Sequence, residues 1–284
     1  VTEVMQIYAN MNTTAEEMVE TARSTIMLGN AAGINASTAA DQIQGVLQQF
    51  GLVSEQSEHI VDVYEYLSAQ LKLDFAKGIE DMSEAVTATG NVAQQAGMSF
   101  EELAAITGKV AERTRTDGSS IGNAIKTIIT RVGKVKELDE TGQVINEKEI
   151  SNAAKSLDQI GIAVYNLDGS MRPVMDILSD LSLQWDQLTT AQQNNIAFNI
   201  AATRQTDKFR AILRSFAEAQ DLASKAMTDS EGVAESTQEK YEQSATAKLQ
   251  AIKNQFQEFW INLFDSNTFK GLLEGLNQIL SLLN

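Results

Sequence analysis

Apolar residues return every three or four positions along nearly the whole chain, which is the spacing of one face of a helix. Val4, Tyr8, Met11, Ala15, Met18, Ala22 and Ile26 form the first such stripe. Start signals are as regular: Thr13 with Glu16, Ser99 with Glu102 and Thr190 with Gln193 each fit a capping box. In that motif a hydroxyl and a carboxylate or amide satisfy the unpaired amides of the first turn. Gly29, Gly33, Gly51, Gly90, Gly97, Gly108 and Gly118 are placed to stop helices. The first 136 residues therefore read as short to medium helices joined by tight glycine turns.

A weak internal repeat runs through this part. Ala32-Gly33-Ile34-Asn35 and Ala96-Gly97-Met98-Ser99 each precede an Ala-rich helix, with Ala39-Ala40 in one and Ala104-Ala105 in the other, at an offset of 64 residues. Small residues on both helices would let two similar helical hairpins pack side by side.

The pattern changes between about Val135 and Pro173. Asp139-Glu140-Thr141-Gly142 and Asn166-Leu167-Asp168-Gly169 are turn sequences, flanked by Gln143-Val144-Ile145 and Gly161-Ile162-Ala163-Val164-Tyr165. Their β-branched and aromatic residues predict a small sheet or pair of hairpins. Pro173 stands where a helix can begin, and Val174 to Trp185 follows at helical spacing. No glycine interrupts Val233 to about Phe264, which predicts one long helix there.

The expected fold class is mainly α: a multi-helix bundle or helical hairpins with a small β-hairpin insertion and a long C-terminal helix. Five regions follow: an acidic helical region (1–80), a helical hairpin region (81–137), the β insertion (138–172), a further helical region (173–230), and a long helix with an apolar C-terminal helix (231–284).

Composition supports helices and narrows the chemistry. The 284 residues include one proline, where average usage would give roughly fourteen. They contain no cysteine and one histidine, so thiolate sites, a Cys nucleophile and a multi-histidine zinc site are excluded. The net charge is −16. Residues 1–80 hold eleven acidic and three basic residues, whereas Lys109 to Lys136 holds seven basic residues against Glu112 and Asp117. No segment has the basic start and apolar run of a secretory signal, and none is long and apolar enough to span a bilayer. Membrane contact is not encoded in this segment.

Each candidate for chemistry has a plain reading beside it. Lys109, Arg113, Arg115, Lys126, Arg131, Lys134 and Lys136 suit nucleic acid, with Ser99 to Gly108 as part of a helix-turn-helix. Without interleaved aromatic residues for base stacking, the plain reading is a solvated face that offsets the acidic first third, so DNA binding is not the expectation. His59 has Glu55, Glu58 and Asp62 nearby, which suits a metal only weakly. Glu235-Ser236 is similar to the opening of a lytic transglycosylase signature but lacks its aromatic surroundings. No phosphate-binding loop, nucleophile elbow or calcium loop is present. The expectation is no enzyme, no metal and no cofactor.

The strongest apolar face lies near the C-terminal end. Phe256, Phe259, Trp260, Leu263 and Phe264 recur at steps of three and four, and Phe269, Leu272, Leu273, Leu276, Ile279, Leu280 and Leu283 continue the stripe. It reads as intramolecular core or as a face buried against another copy or a partner.

The stretch from Gly97 to about Trp260 resembles the core of the tail tape measure proteins of long-tailed bacteriophages and prophages. The residues that carry this are Ala96-Gly97-Met98-Ser99-Phe100-Glu101-Glu102-Leu103, Thr114-Arg115-Thr116-Asp117-Gly118, Ile121-Gly122-Asn123-Ala124-Ile125-Lys126-Thr127-Ile128 and Arg131. Gly161 to Tyr165, Asp168-Gly169-Ser170-Met171-Arg172, Ile177-Leu178 through Trp185, Thr203-Arg204-Gln205 with Phe209 and Leu213, and Gly232-Val233-Ala234 complete the series. Together these segments cover over half the chain.

The resemblance implies a structural tail assembly protein without catalytic residues, held inside the growing tail tube and setting its length. It also implies other tape measure copies, tail assembly chaperones, and tail tube and baseplate or initiator proteins as partners. The implied location is the virion tail after assembly and the host cytoplasm during synthesis. A cell-wall hydrolase domain carried by the tail and a DNA-binding helical regulator are the alternatives. Relatives often carry glycine before the Thr of Thr203-Arg204-Gln205, so Ala202 implies a less tight turn here, with Arg204 placed within a helical bundle. A continuous helix of this length would reach only roughly 430 Å. With the start at Val1 and no repetitive coiled-coil regions, this sets the expectation of a piece of a longer protein.

Overall fold

Four helix ends share one sequence feature, a glycine followed by a large apolar residue, and one geometry. In the computed structural model, which describes residues 4, 7, 8, 15–133 and 151–243, Gly33, Gly51, Gly97 and Gly161 have φ of 67°, 66°, 77° and 80°. The residue after each donates its amide five positions back: Ile34 to Gly29 O at 3.1 Å, Leu52 to Leu47 O at 2.9 Å, Met98 to Ala93 O at 3.0 Å and Ile162 to Leu157 O at 3.0 Å. This is the Schellman closure, which satisfies a terminal carbonyl and returns the apolar residue onto the helix it ends. Met98 and Ile162 are buried, and Ile34 and Leu52 pack against the core.

The helices among the described residues are α1 (Ala15–Ala32), α2 (Ala36–Phe50), α3 (Ser57–Gln70), α4 (Phe75–Gln95), α5 (Phe100–Thr114), α6 (Gly118–Val132), α7 (Asn152–Asp158), α8 (Val174–Gln184), α9 (Thr190–Asp229) and α10 (Val233–Gln243). The chain divides into two compact units, Val1–Glu235 and Ser236–Asn284. Of the second, only residues 236–243 are described. None of the described helices is long and apolar enough to cross a membrane.

The 64-residue repeat is a repeat of corners. At the α1–α2 corner Asn35 accepts the Thr38 amide at 2.9 Å, and at the α4–α5 corner Ser99 accepts the Glu102 amide at 3.1 Å while Glu102 accepts the Ser99 amide at 2.8 Å. Each such cap contributes about 1 kcal/mol. The buried pairs Ala39-Ala40 and Ala104-Ala105 then face the core, and α4 packs against both α1 and α2. Down the centre, α9 lies along α5 and α6, and α4 packs on both of those as well. The first stripe holds where it is described: Val4, Tyr8, Ala22 and Ala40 form a small separate cluster with Met18 and Ile26 against it.

Several expectations change. Gly29, Gly90 and Gly108 lie inside α1, α4 and α5, and Gly118 opens α6. Gly108 is there because a Cβ would stand 2.6 Å from Leu71 Cδ1. The box at the start of α9 is Thr189 with Gln192, because Thr-Thr-Ala-Gln-Gln admits two registers and Gln193 Nε2 instead donates to Trp185 O at 2.7 Å. Pro173 precedes the first residue of α8 and caps it. Thr13 lies outside the described residues.

The β insertion is also corrected: among the described residues there is no strand, only one isolated antiparallel bridge, Tyr165–Met171. Asp168 Oδ1 accepts the Ser170 amide at 2.9 Å, and Asn166 donates its amide to Ser170 O at 2.8 Å, so the turn closes as its sequence implies. Ile162 and Val164 are nevertheless buried against the helical core, and a lone pair of short strands has little stability of its own. Gln143 to Ile145 lie outside the described residues, as does Val233 to Phe264 beyond Gln243.

Candidate functional site at the helix junctions

Thr114 to Gly118 turns the chain between α5 and α6. Arg115 closes α5 in the left-handed region, φ 55°, with its amide on Ala111 O at 2.8 Å. Three carboxylates then take the first amides of α6: Asp81 accepts from Gly118 at 2.9 Å, Glu84 from Ser119 at 3.3 Å and Asp117 from Ser120 at 2.8 Å. Negative charge here also meets the positive end of the helix dipole. Position 118 must be glycine because a Cβ would overlap the Asp81 carbonyl, and at Gly122 it would come 2.9 Å from Ala85 O. These glycines allow α6 to lie directly on α4.

The second junction is inside α9. Ala202 has φ 54° and ψ 174°, so the helix is broken there. Arg210 Nη2 bonds Asn194 Oδ1 at 2.7 Å, although sixteen residues of straight helix would separate them by about 24 Å. The chain therefore folds back on itself at Ala202, which corrects the expectation of a looser turn. Trp185, on the short 3₁₀ turn before α9, grips the returning half: its ring meets Phe209 edge-on at 5.8 Å, and the Arg210 guanidinium lies 5.9 Å from its centroid. Arg131 Nε donates to Asn199 O at 2.9 Å and holds the outgoing half. Arg204 is exposed at the bend rather than set within the bundle.

The third junction gathers the His59 neighbourhood but disperses its side chains. His59 Nε2 pairs with Glu101 Oε1 at 2.9 Å. The hydrogen bond to Glu101 raises the His59 pKa despite burial; burial would raise Glu101, but His59 and further hydrogen bonds leave its pKa below the usual range. Asp62 is 4% exposed and accepts the amides of Gly232 at 3.1 Å and Ala234 at 2.8 Å, capping α10 from 170 positions away. Burial raises its carboxyl above the ordinary range, and the two amides offset this in part. Glu58 and Glu235 both bond Arg23, at 3.1 Å and 2.7 Å, and Glu55 accepts from Ser54. The three carboxylates near His59 in sequence, Glu55, Glu58 and Asp62, thus face different partners.

Three residues of the basic stretch have partners within the molecule. Lys109 pairs with Glu112 and with Glu218, the latter at 2.7 Å, and Arg113 Nε donates to Ser215 Oγ at 2.9 Å. The contacts of Lys109 with Glu218, Arg113 with Ser215 and Arg131 with Asn199 tie α5 and α6 to α9. Lys126 and Arg115 are exposed; Lys134 and Lys136 lie outside the described residues. Also outside are Phe256, Phe259, Trp260, Leu263, Phe264, Leu272, Leu276, Ile279 and Leu283. A hollow of about 500 Å³ beside α1 and α2 is lined by Glu17, Thr21, Gln44 and Gln48 among others.

The junctions serve helix packing. The family model described as phage-related minor tail protein matches residues 1–201. The chain belongs to the phage-related minor tail protein family. The match holds all four glycine corners and the α5–α6 turn, and it ends one residue before the reversal at Ala202. The chain is similar to a tape measure protein of Pneumococcus phage Dp-1, 22% identical over 253 residues, or 89% of this chain and 20% of that protein. It is also similar to a probable tape measure protein of Escherichia phage P2, 28% identical over 153 residues, or 53% of this chain and 16% of that one. The chain thus spans a fifth or less of these relatives' lengths. No solved structure matches it.

Sequence reasoning missed Asp62 and Trp185 as junction residues. Trp185 carried a signal, a large aromatic beside a capped start, and Asp62 carried none. At Ala202 the resemblance pointed to a turn but not to a reversal of the chain.

Proposed function

We propose that this chain is a packing module of a tape measure protein, which sets tail length and is held in the tail tube. Membership of the minor tail family, with relatives named as tape measures, carries the reading. The structure suits it: corners, caps and charged side chains are engaged in holding helices together, and its role is structural rather than enzymatic. Further copies, tail assembly chaperones, and tube and baseplate or initiator proteins are the proposed partners, in host cytoplasm during synthesis and in the virion tail afterwards. The face of Phe256, Phe259, Trp260, Leu263, Phe264, Leu272, Leu276, Ile279 and Leu283 is the proposed contact for one of them.

Protease treatment of purified tails tests the location. Enclosed in the tube, the module resists digestion in intact tails and is cleaved once the tube is disrupted. Digestion in intact tails, or absence of the module from them, would contradict the reading.

A further inference from the structure

We propose that Ala202 is a hinge between two states of one sequence, the folded-back α9 of the structure and a single continuous helix over Thr190–Asp229. Three observations carry this, and none depends on the tape measure reading.

The first is a conflict between local and global preference. Ala202, at φ 54° and ψ 174°, occupies a backbone region that only glycine enters freely. Yet the 40 residues of Thr190–Asp229 contain no glycine and no proline, and nine of them are alanine, the best helix former. Local preference favours a straight helix at the point where the chain reverses.

The second is that the bend is imposed from outside. Trp185 holds Phe209 and Arg210, Asn194 holds Arg210, and Arg131 holds the carbonyl of Asn199. Apart from the Asn194–Arg210 bond, these grips come from residues beyond α9.

The third is a second apolar register. After the bend, Phe209, Ile212, Phe216, Ala219, Ala223 and Ala226 are buried at alternating steps of three and four. Continued backwards through a straight helix, the same steps reach Gln205, Ala202 and Phe198. Phe198 is 55% exposed in the folded-back state. There the outgoing half instead buries Ile196, Ala197, Ile200 and Ala201; of these, a straight helix would set Ile196 and Ile200 on the side away from the Phe209 stripe. The outgoing half therefore carries two apolar faces, one for each state. Straightening would turn the reversal into a rod of about 60 Å.

The chain has no cysteine, so Ala191→Cys and Arg214→Cys, both at exposed positions, place two spin labels on the full chain. In the folded-back state the pair gives a short distance; in a continuous helix their 23-residue separation adds a peak near about 35 Å. Ala202→Leu keeps both the backbone strain and a high helix propensity, so it should retain the long-distance population. Ala202→Gly accepts the bend and weakens the straight helix, so it should remove that population. Trp185→Ala, which frees Phe209 and Arg210, should raise it with helicity retained. The hinge is overturned if Ala202→Leu leaves only the short distance, if Ala202→Gly retains the long one, or if loosening produces a broad distribution with loss of helicity.

Discussion

Removing the Asp62 carboxylate tests whether one side chain of α3 starts α10. In Asp62→Ala the amides of Gly232 and Ala234 lose their acceptor. Ala234 is fully buried, and a buried amide left unpaired costs about 1–3 kcal/mol. Gly232 is exposed and regains water, and relief from burying a carboxylate offsets part of the loss. The net expectation is a destabilisation of about 1–2 kcal/mol, or roughly 2–4 °C in Tm per kcal/mol for a chain of this size. Asp62→Asn keeps one acceptor oxygen and should lose about half as much.

The pH dependence has the opposite sign to a surface salt bridge. Because the folded pKa of Asp62 is raised, the folded chain keeps a proton that the unfolded chain has released at pH values between the two. Stability from this group is present below the ordinary Asp range and falls as pH rises through the raised value. Asp62→Asn should lack that slope. Urea unfolding followed by circular dichroism, with hydrogen exchange at the Ala234 amide, reads both effects. Unchanged stability in Asp62→Ala, or an Ala234 amide as protected as before, would refute the capping role.

Further outcomes follow from buried groups elsewhere. The His59–Glu101 pair joins a raised pKa to a lowered one. Its stabilisation should be full between about pH 4.5 and 6.5 and decline outside that window, above it as His59 deprotonates and below it as Glu101 protonates; the same pH profile in His59→Gln would count against it. The Tyr64 hydroxyl is buried with no hydrogen-bond partner among the described residues, while its ring packs on Phe100 at 5.2 Å. Tyr64→Phe should be neutral or stabilising by up to about 1 kcal/mol in thermal unfolding, and a clear loss would reveal a hidden partner.

What was legible in the sequence was local. The Ser99–Glu102 box and the turn at Asp168-Gly169 are closed by residues within a few positions of one another, so their sequences suffice. The glycine–apolar pairs at Gly33, Gly51 and Gly97 are complete in two residues. Gly90 looks the same by composition, but its reason is the neighbouring α2, where Phe50 stands close, and no local pattern states that. Ile162, Val164 and Tyr165 favour strands by propensity, yet the helical core took the first two and left one bridge. The Ala202 reversal is the extreme case, since local preference points the other way and Trp185 decides. Asp62 reaches its partners across 170 positions, and its helix surroundings gave no sign of that.

The proposal that the chain is part of a length-setting protein meets its most direct test in the virion. An in-frame deletion within Val233 to Phe264 of the encoding gene should yield tails shortened in proportion to the residues removed, measured by electron microscopy. Tails of unchanged length that still contain the shortened protein would contradict it.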